Sequence, residues 1–290
     1  MHVSPLHPAF GVDVEGIDLR DVTRDRHSAE IRALFETHSL LLFRDQHLDD
    51  EEQLRFAQLF GPIEDRSSVA MDGKPAISHG VSNVAEDGTV YNERNLRLLN
   101  LKANMLWHTD STFLPVPALA NVLQARVVPS KGGATEFAST RAGFGSLDPA
   151  LQERLRGLSF HHRYSHSRAR IDAALAKLDM FTMWPDQCWR AVWRNPVNGT
   201  ESLYIASHAF AVSGMAPEEG AAFLDEMMAA MTPPDAIYAH TWQPGDLVIW
   251  DERALLHRGT PWPYDEPRSL ASCCVSAGPS DGLDTMRPAA

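Results

Sequence analysis

Apolar residues recur along this chain in two rhythms. Over residues 26–39 (RHSAEIRALFETHS), Ile31, Leu34 and Phe35 share one face at helical spacing. A second helical pattern covers 49–60 (DDEEQLRFAQLF). Asp49 and Asp50 suit the positive end of its dipole, and Gly61-Pro62 stops it. Further helical stretches lie at 148–157 (DPALQERLRG) and 216–231 (APEEGAAFLDEMMAAM). Elsewhere the rhythm shortens. LLLF at 40–43, then ALANVLQARVV, SLYIASHAF, DLVIW, ALLH and SLASCCVSA are brief apolar runs with Gly, Pro and polar turns between them. That spacing predicts strands of a sandwich or barrel. No Pro/Gly/Ser-rich linker and no internal repeat divides the chain. The pattern therefore predicts one domain over residues 1–290, mainly β with helices packed outside, and a loosely ordered tail from Pro279.

Charge narrows the partners. With 26 Lys and Arg against 38 Asp and Glu, the net charge is −12. That disfavours nucleic acid and anionic membranes, which need a basic surface. It does not exclude a small anionic substrate, because a pocket can be locally positive inside an acidic protein. The three cysteines, Cys188, Cys273 and Cys274, form no disulfide framework, which points to a reducing compartment. Small apolar residues flank the Cys273–Cys274 pair, as expected of buried, inert thiols. The opening residues lack a basic segment followed by an apolar run, and no stretch approaches 18 apolar residues. The expectation is a cytoplasmic protein acting on a small molecule, with self-association into a homo-oligomer left open.

The chemistry concentrates in two places. In Trp107-His108-Thr109-Asp110, an extended backbone sends residues two apart to the same side. His108 and Asp110 thus aim an imidazole and a carboxylate at one point. One further histidine completes a 2-His-1-carboxylate face, the arrangement of non-haem Fe(II) oxygenases. Near the other end, Gly245–Asp251 leads from a turn into a strand, followed by Ala254-Leu255-Leu256-His257-Arg258-Gly259. His257 is either a core histidine closing an apolar strand or that third ligand. Eleven residues on stands Arg268, whose planar guanidinium is a natural fork for a carboxylate. It would hold the far end of a small diacid whose near end chelates the metal.

These segments sit within a wider match. LHPAFGVDVEGIDLRD, LLLFRDQHLDDEEQLRFAQLFGPIE, SNVAEDG, ANMLWHTDSTF, VVPSKGGATEF and GDLVIWDERALLHRG follow one another in order. Through them the chain resembles the taurine dioxygenase and 2,4-dichlorophenoxyacetate dioxygenase family, and its phenoxyacetate (aryloxyalkanoate) branch more closely. The resemblance implies a double-stranded β-helix, a cupin-like jelly roll, that uses Fe(II), 2-oxoglutarate and O2. It implies His108, Asp110 and His257 as iron ligands, and Arg268 with Thr135 as the clamp on the distal carboxylate of 2-oxoglutarate. Asp110 speaks against the halogenating variants, in which a small residue replaces the carboxylate. Trp107 and Trp250 read as core.

One position departs from the family. Its founding members carry a second arginine, four residues after the first, that faces the substrate anion. This chain has Ser272 there. Other candidates for the substrate pocket are His79, Asn83, Arg97, Lys102, Phe113, His208 and Phe210. The imidazole-rich stretch His161–Arg168 reads as a mobile basic loop rather than a second metal site. The implied reaction is hydroxylation of a small organic acid, with ether cleavage of an aryloxyalkanoate to a phenol and an oxo acid as the leading case. A sulfonate, an alkyl sulfate, a natural-product acid or a non-catalytic jelly-roll binding protein are the alternatives.

Overall fold

A computed structural model describes residues 1–65, 79–85, 87–91 and 95–288, the side chain of His79 excepted. The strands are β1 (His2–Pro5), β2 (Val12–Glu15), β3 (Leu40–Phe43), β4 (His79–Ser82), β5 (Ala118–Val127), β6 (Thr135–Ser139), β7 (Ser159–His162) and β8 (Gln187–Arg190). They continue with β9 (Val192–Arg194), β10 (Glu201–Leu203), β11 (Ala209–Val212), β12 (Ile237–His240), β13 (Leu247–Asp251), β14 (Leu255–Gly259) and β15 (Ser269–Ser276). The helices are α1 (Ser28–His38), α2 (Asp50–Ala57), α3 (Leu96–Ala103), α4 (Thr140–Ser146), α5 (Pro149–Arg156), α6 (Tyr164–Ala169), α7 (Asp179–Thr182) and α8 (Pro217–Met231).

A large sheet runs in the order β1-β2-β3-β13-β5-β15-β4, and shorter sheets run β12-β6-β14 and β11-β7-β8. Side-chain alternation sorts the large sheet into two faces. Leu40, Leu42, Leu123, Val248, Trp250 and Leu270 point inward and pack on Phe137 and Leu255 of the facing β12-β6-β14 sheet. Leu41, Phe43, Val122, Ile249, Cys273 and Val275 point outward and are covered by Ile31, Phe35 and Phe56 of α1 and α2. Two sheet layers with helices outside form the jelly roll that the family resemblance implies. The start of α2 shows how local chemistry sets these elements. The Asp49 carboxylate accepts from the Glu52 backbone N–H and the Glu52 carboxylate accepts from that of Asp49, a reciprocal cap on two otherwise unpaired donors.

Three expectations need correction. The tail is not loose over residues 279–288: it forms two short 3-10 turns, Met286 is fully buried, and the Trp193 indole donates to Asp281 O. The apolar run SLYIASHAF is not one strand but β10 and β11 with an irregular link, which Ser207 N–H ties to Trp107 O. His161–Arg168 is not a mobile loop either. It spans the end of β7 and most of α6, with His162 and Arg168 buried. Polarity suggested a surface, but aromatic packing overrides it. Among the described residues no helix is long and apolar enough to cross a membrane.

Candidate active site

An antiparallel bridge outside the named strands assembles the site. His108 N–H donates to His257 O (3.0 Å) and His257 N–H donates to His108 O (2.9 Å). This reciprocal pair sets the 107–110 segment against β14 and brings the two imidazoles to a centroid distance of 4.1 Å. On the opposite side of the extended segment, the Thr109 hydroxyl reaches Ile205 O and Leu255 O, both at 3.3 Å. His108 and Asp110 are thereby turned the same way. Donor atoms of His108, Asp110 and His257 all lie within 4.8 Å of one another.

The donor set suits a divalent transition metal. His108 Nδ1 is 2.8 Å from Leu106 O, so a proton on Nδ1 leaves Nε2 with its lone pair facing Asp110 Oδ1 at 3.7 Å. Burial lowers the His108 pKa, keeping the imidazole neutral as a ligand must be. Glu252, fully buried, accepts from the Asp110 backbone N–H at 3.0 Å and lies 3.8 Å from His257 Nδ1. Its charge favours a proton on Nδ1, which leaves His257 Nε2 as donor atom. Two imidazoles and one carboxylate are the set that leaves open positions on iron.

Two cavities share His108 and Asp110 in their walls. The first also holds His257, Thr135, Trp262 and Arg268. Arg268 is buried, which pushes its pKa down to about 10, so it remains cationic at neutral pH. Its Nε and Nη2 donate to Gly133 O at 3.2 and 3.0 Å, and its guanidinium carbon lies 5.0 Å from the Trp262 ring centroid. Gly132 and Gly133 both have positive φ, and a Cβ on Gly133 would sit 3.0 Å from Arg268 Nε. Only glycine lets the chain pass so close to the arginine. The Trp242 indole donates to Thr135 Oγ1 at 3.0 Å, leaving the threonine O–H to donate to an anion in the cavity.

The second cavity adds Phe113, Tyr164, Arg168 and His208. Phe113 and Tyr164 stack at 3.6 Å with rings 4° from parallel, and Arg168 lies 4.3 Å above Tyr164. Arg168 donates to Asn100 Oδ1, Ser167 Oγ and Tyr164 Oη and lies 3.4 Å from His208 Nε2. Burial, then the neighbouring Arg168 charge, lowers the His208 pKa well below its usual value, so that imidazole is neutral too.

The structure treats the remaining candidates differently. Phe113 and His208 reach the second cavity. Asn83 lines neither of these two cavities. Its amide donates to Tyr264 O and Glu266 O while its Oδ1 accepts from the Arg268 backbone N–H, so it clamps the loop that presents Arg268. Arg97 sits over Tyr91 and Lys102 over Tyr264, and neither is among the residues that line these two cavities. Phe210 lines a larger cavity of about 490 Å³ against α8, whose walls contain no member of the triad, so size does not mark the chemistry here. The backbone of His79 lies in β4 opposite Ser272, but its side chain is outside the described residues. Trp107 is half-buried beneath Arg258. Trp250 is core, as read from sequence, yet it also touches His257 at a centroid distance of 4.7 Å and lines the first cavity.

Sequence reading did not single out Glu252, Asn121 or Arg168. Glu252 lies inside a quoted motif. Arg168 closes the basic stretch His161–Arg168, and Asn121 is a polar residue in the apolar run ALANVLQARVV.

The taurine catabolism dioxygenase TauD, TfdA family model matches residues 2–274. The chain is 35% identical to the (S)-phenoxypropionate/alpha-ketoglutarate-dioxygenase of Sphingobium herbicidovorans, over 96% of both chains. It is 36% identical to the alpha-ketoglutarate-dependent 2,4-dichlorophenoxyacetate dioxygenase of Cupriavidus pinatubonensis, over 92% of this chain and 94% of that one. Among solved structures, AAD-2 in complex with Mn(II) and N-oxalylglycine superposes with a TM-score of 0.90 at 31% identity, over 96% of this chain and 98% of that one.

Proposed function

The chain belongs to the TauD/TfdA family, is an Fe(II)- and 2-oxoglutarate-dependent dioxygenase, and on that premise we propose that it oxidises an aryloxyalkanoic acid. The observation that carries this reading is the meeting of two cavities at the triad, each with its own buried arginine. His108, Asp110 and His257 would hold the iron. When bound, it supplies the redox chemistry that couples decarboxylation of 2-oxoglutarate by O2 to oxygenation of a substrate C–H bond.

The residues of the chain do the rest. Arg268 and the Thr135 hydroxyl grip the distal carboxylate of 2-oxoglutarate, with Gly133, Trp262 and Trp242 fixing their positions. In the second cavity the Phe113–Tyr164 stack offers an aromatic wall beside the Arg168 charge. Asn100, Ser167, Tyr164 and His208 fix the position of that guanidinium. A substrate carboxylate would replace the longest of these contacts, the 3.4 Å approach to His208. This gives an anionic substrate a grip that Ser272 does not provide. Hydroxylation of a carbon bearing an ether oxygen yields a hemiacetal, which collapses to a phenol and an oxo acid.

A panel of aryloxyalkanoates, sulfonates and alkyl sulfates, scored for succinate and phenol, tests this. We expect aryloxyalkanoates to lead, and Arg168→Leu to raise their KM while the 2-oxoglutarate KM stays put, the pattern of a lost binding contact. Equal turnover of an aryloxyacetate and the corresponding aryloxyethanol, which keeps the ether carbon and lacks the carboxylate, would show that no carboxylate is read.

A further inference from the structure

The two oxygens of the Asp110 carboxylate have different surroundings. Oδ1 faces His108 Nε2 at 3.7 Å. Oδ2 accepts a 2.7 Å hydrogen bond from Asn121 Nδ2 and a longer one, 3.5 Å, from the Cys274 thiol. Asn121 is oriented in turn, because Ser272 Oγ donates to its Oδ1 at 2.8 Å. That bond decides which end of the amide meets Asp110. With its oxygen occupied by a hydroxyl proton, Asn121 presents N–H to the carboxylate. The reverse orientation would set oxygen against oxygen.

The strands place all three groups. Asn121 on β5 pairs directly with Cys274 on β15, and Ser272 lies two residues earlier on that strand, on the same face. Asn121, Ser272 and Cys274 are buried between the sheets, where an unmet polar group is costly.

We propose that Ser272 and Asn121 are positioning residues that hold Asp110 Oδ2, so that Oδ1 is the oxygen offered to the metal. The inference rests on the triad being the iron site. It gives Ser272 a task of its own. At the position where the family resemblance leads one to expect an arginine, this chain has a hydroxyl that acts on the metal-binding carboxylate through an amide. Second-layer partners of this kind typically alter metal affinity 10- to 100-fold.

The test is a titration of the metal-free protein with Co(II) alone, read by the visible absorption of the bound ion, with apo-protein thermal unfolding measured alongside. Asn121→Ala should weaken Co(II) binding by about tenfold or more and shift the absorption bands. Ser272→Ala should move both in the same direction by less, and Ser272→Thr, which keeps the hydroxyl, should restore them. The Ser272 pair decides the matter by itself if Asn121→Ala does not fold. Co(II) affinity and bands in Ser272→Ala that match both wild type and Ser272→Thr would overturn the proposal while leaving the iron site intact. Wild-type protein that takes up no Co(II), and so resembles His257→Ala, would overturn the iron reading and this inference with it.

Discussion

Arg268 is the side chain through which the co-substrate assignment is most exposed. It is buried, cationic and fixed by Gly133 O and Trp262, and a carboxylate facing it gains a charge-assisted pair of hydrogen bonds. Replacing it with alanine should cost about 1.5–3 kcal/mol of 2-oxoglutarate binding, roughly a ten- to hundredfold rise in apparent KM. Iron affinity should barely change. Thr135→Val should act the same way but more weakly. A 2-oxoglutarate saturation curve for Arg268→Ala that overlays wild type would remove this role. At this scale the sequence was informative where residues lie close along the chain or in an ordered motif. His108 and Asp110 declare themselves by alternation, and His257, Thr135 and Arg268 by the resemblance. Arg168 and Asn121 did not, because their meaning comes from β7, α6, β5 and β15 folding onto the triad from distant segments. Asn83, Arg97 and Lys102 show the converse. They precede the metal motif in sequence, yet turn to the Arg268 loop and to nearby rings.

Between elements, a buried ionic cluster ties α1 to the end of β13 and to the chain terminus. Arg253 donates to Asp251 Oδ1 at 2.8 Å and to Glu36 Oε2 at 2.7 Å, Asn195 donates to Glu36, and Arg32 bridges Glu36 and Asp281. This explains why the tail is ordered although its composition suggested otherwise. Arg253→Met would leave Glu36 and Asp251 buried without their main counter-charge, a loss of roughly 3–5 kcal/mol that denaturant unfolding would reveal. Burial pushes the Glu36 carboxyl up, but the Arg253 guanidinium, the Asn195 amide and Arg32 hold it below the usual carboxylate range. A depressed folded-state pKa stabilises above the unfolded value, 4.5 for this group, and that stabilisation fades as pH falls through the folded value. The stability gap between wild type and Glu36→Gln should therefore narrow below about pH 4.5. A gap that stays constant from pH 7 down to pH 4 and below would show that Glu36 is not held by its charge. The four helices foreseen from periodicity all form. The short α6 and α7 carry too few turns for a periodic signal to emerge.

Across the whole molecule, the net charge of −12 conceals two buried arginines beside one metal-binding triad. Bulk charge leaves an anionic substrate open, since the pocket rather than the surface sets local potential. The layered fold followed from the brief apolar runs that became β5, β13 and β15, from the turns between them, and from the family resemblance. The bridge that unites His108 with His257 did not, because it joins segments almost 150 residues apart and its His108 side belongs to no regular strand. The central claim is that this bridge builds an iron site that turns over 2-oxoglutarate. It is tested most directly by succinate release, measured with and without Fe(II) and O2, in wild type and in His108→Ala, Asp110→Ala and His257→Ala. Wild type should release succinate only when both are supplied, and each variant should fold, as judged by circular dichroism, yet release almost none. Near-normal succinate from any one of the three variants, or none from iron-loaded wild type across the substrate panel, would contradict the account.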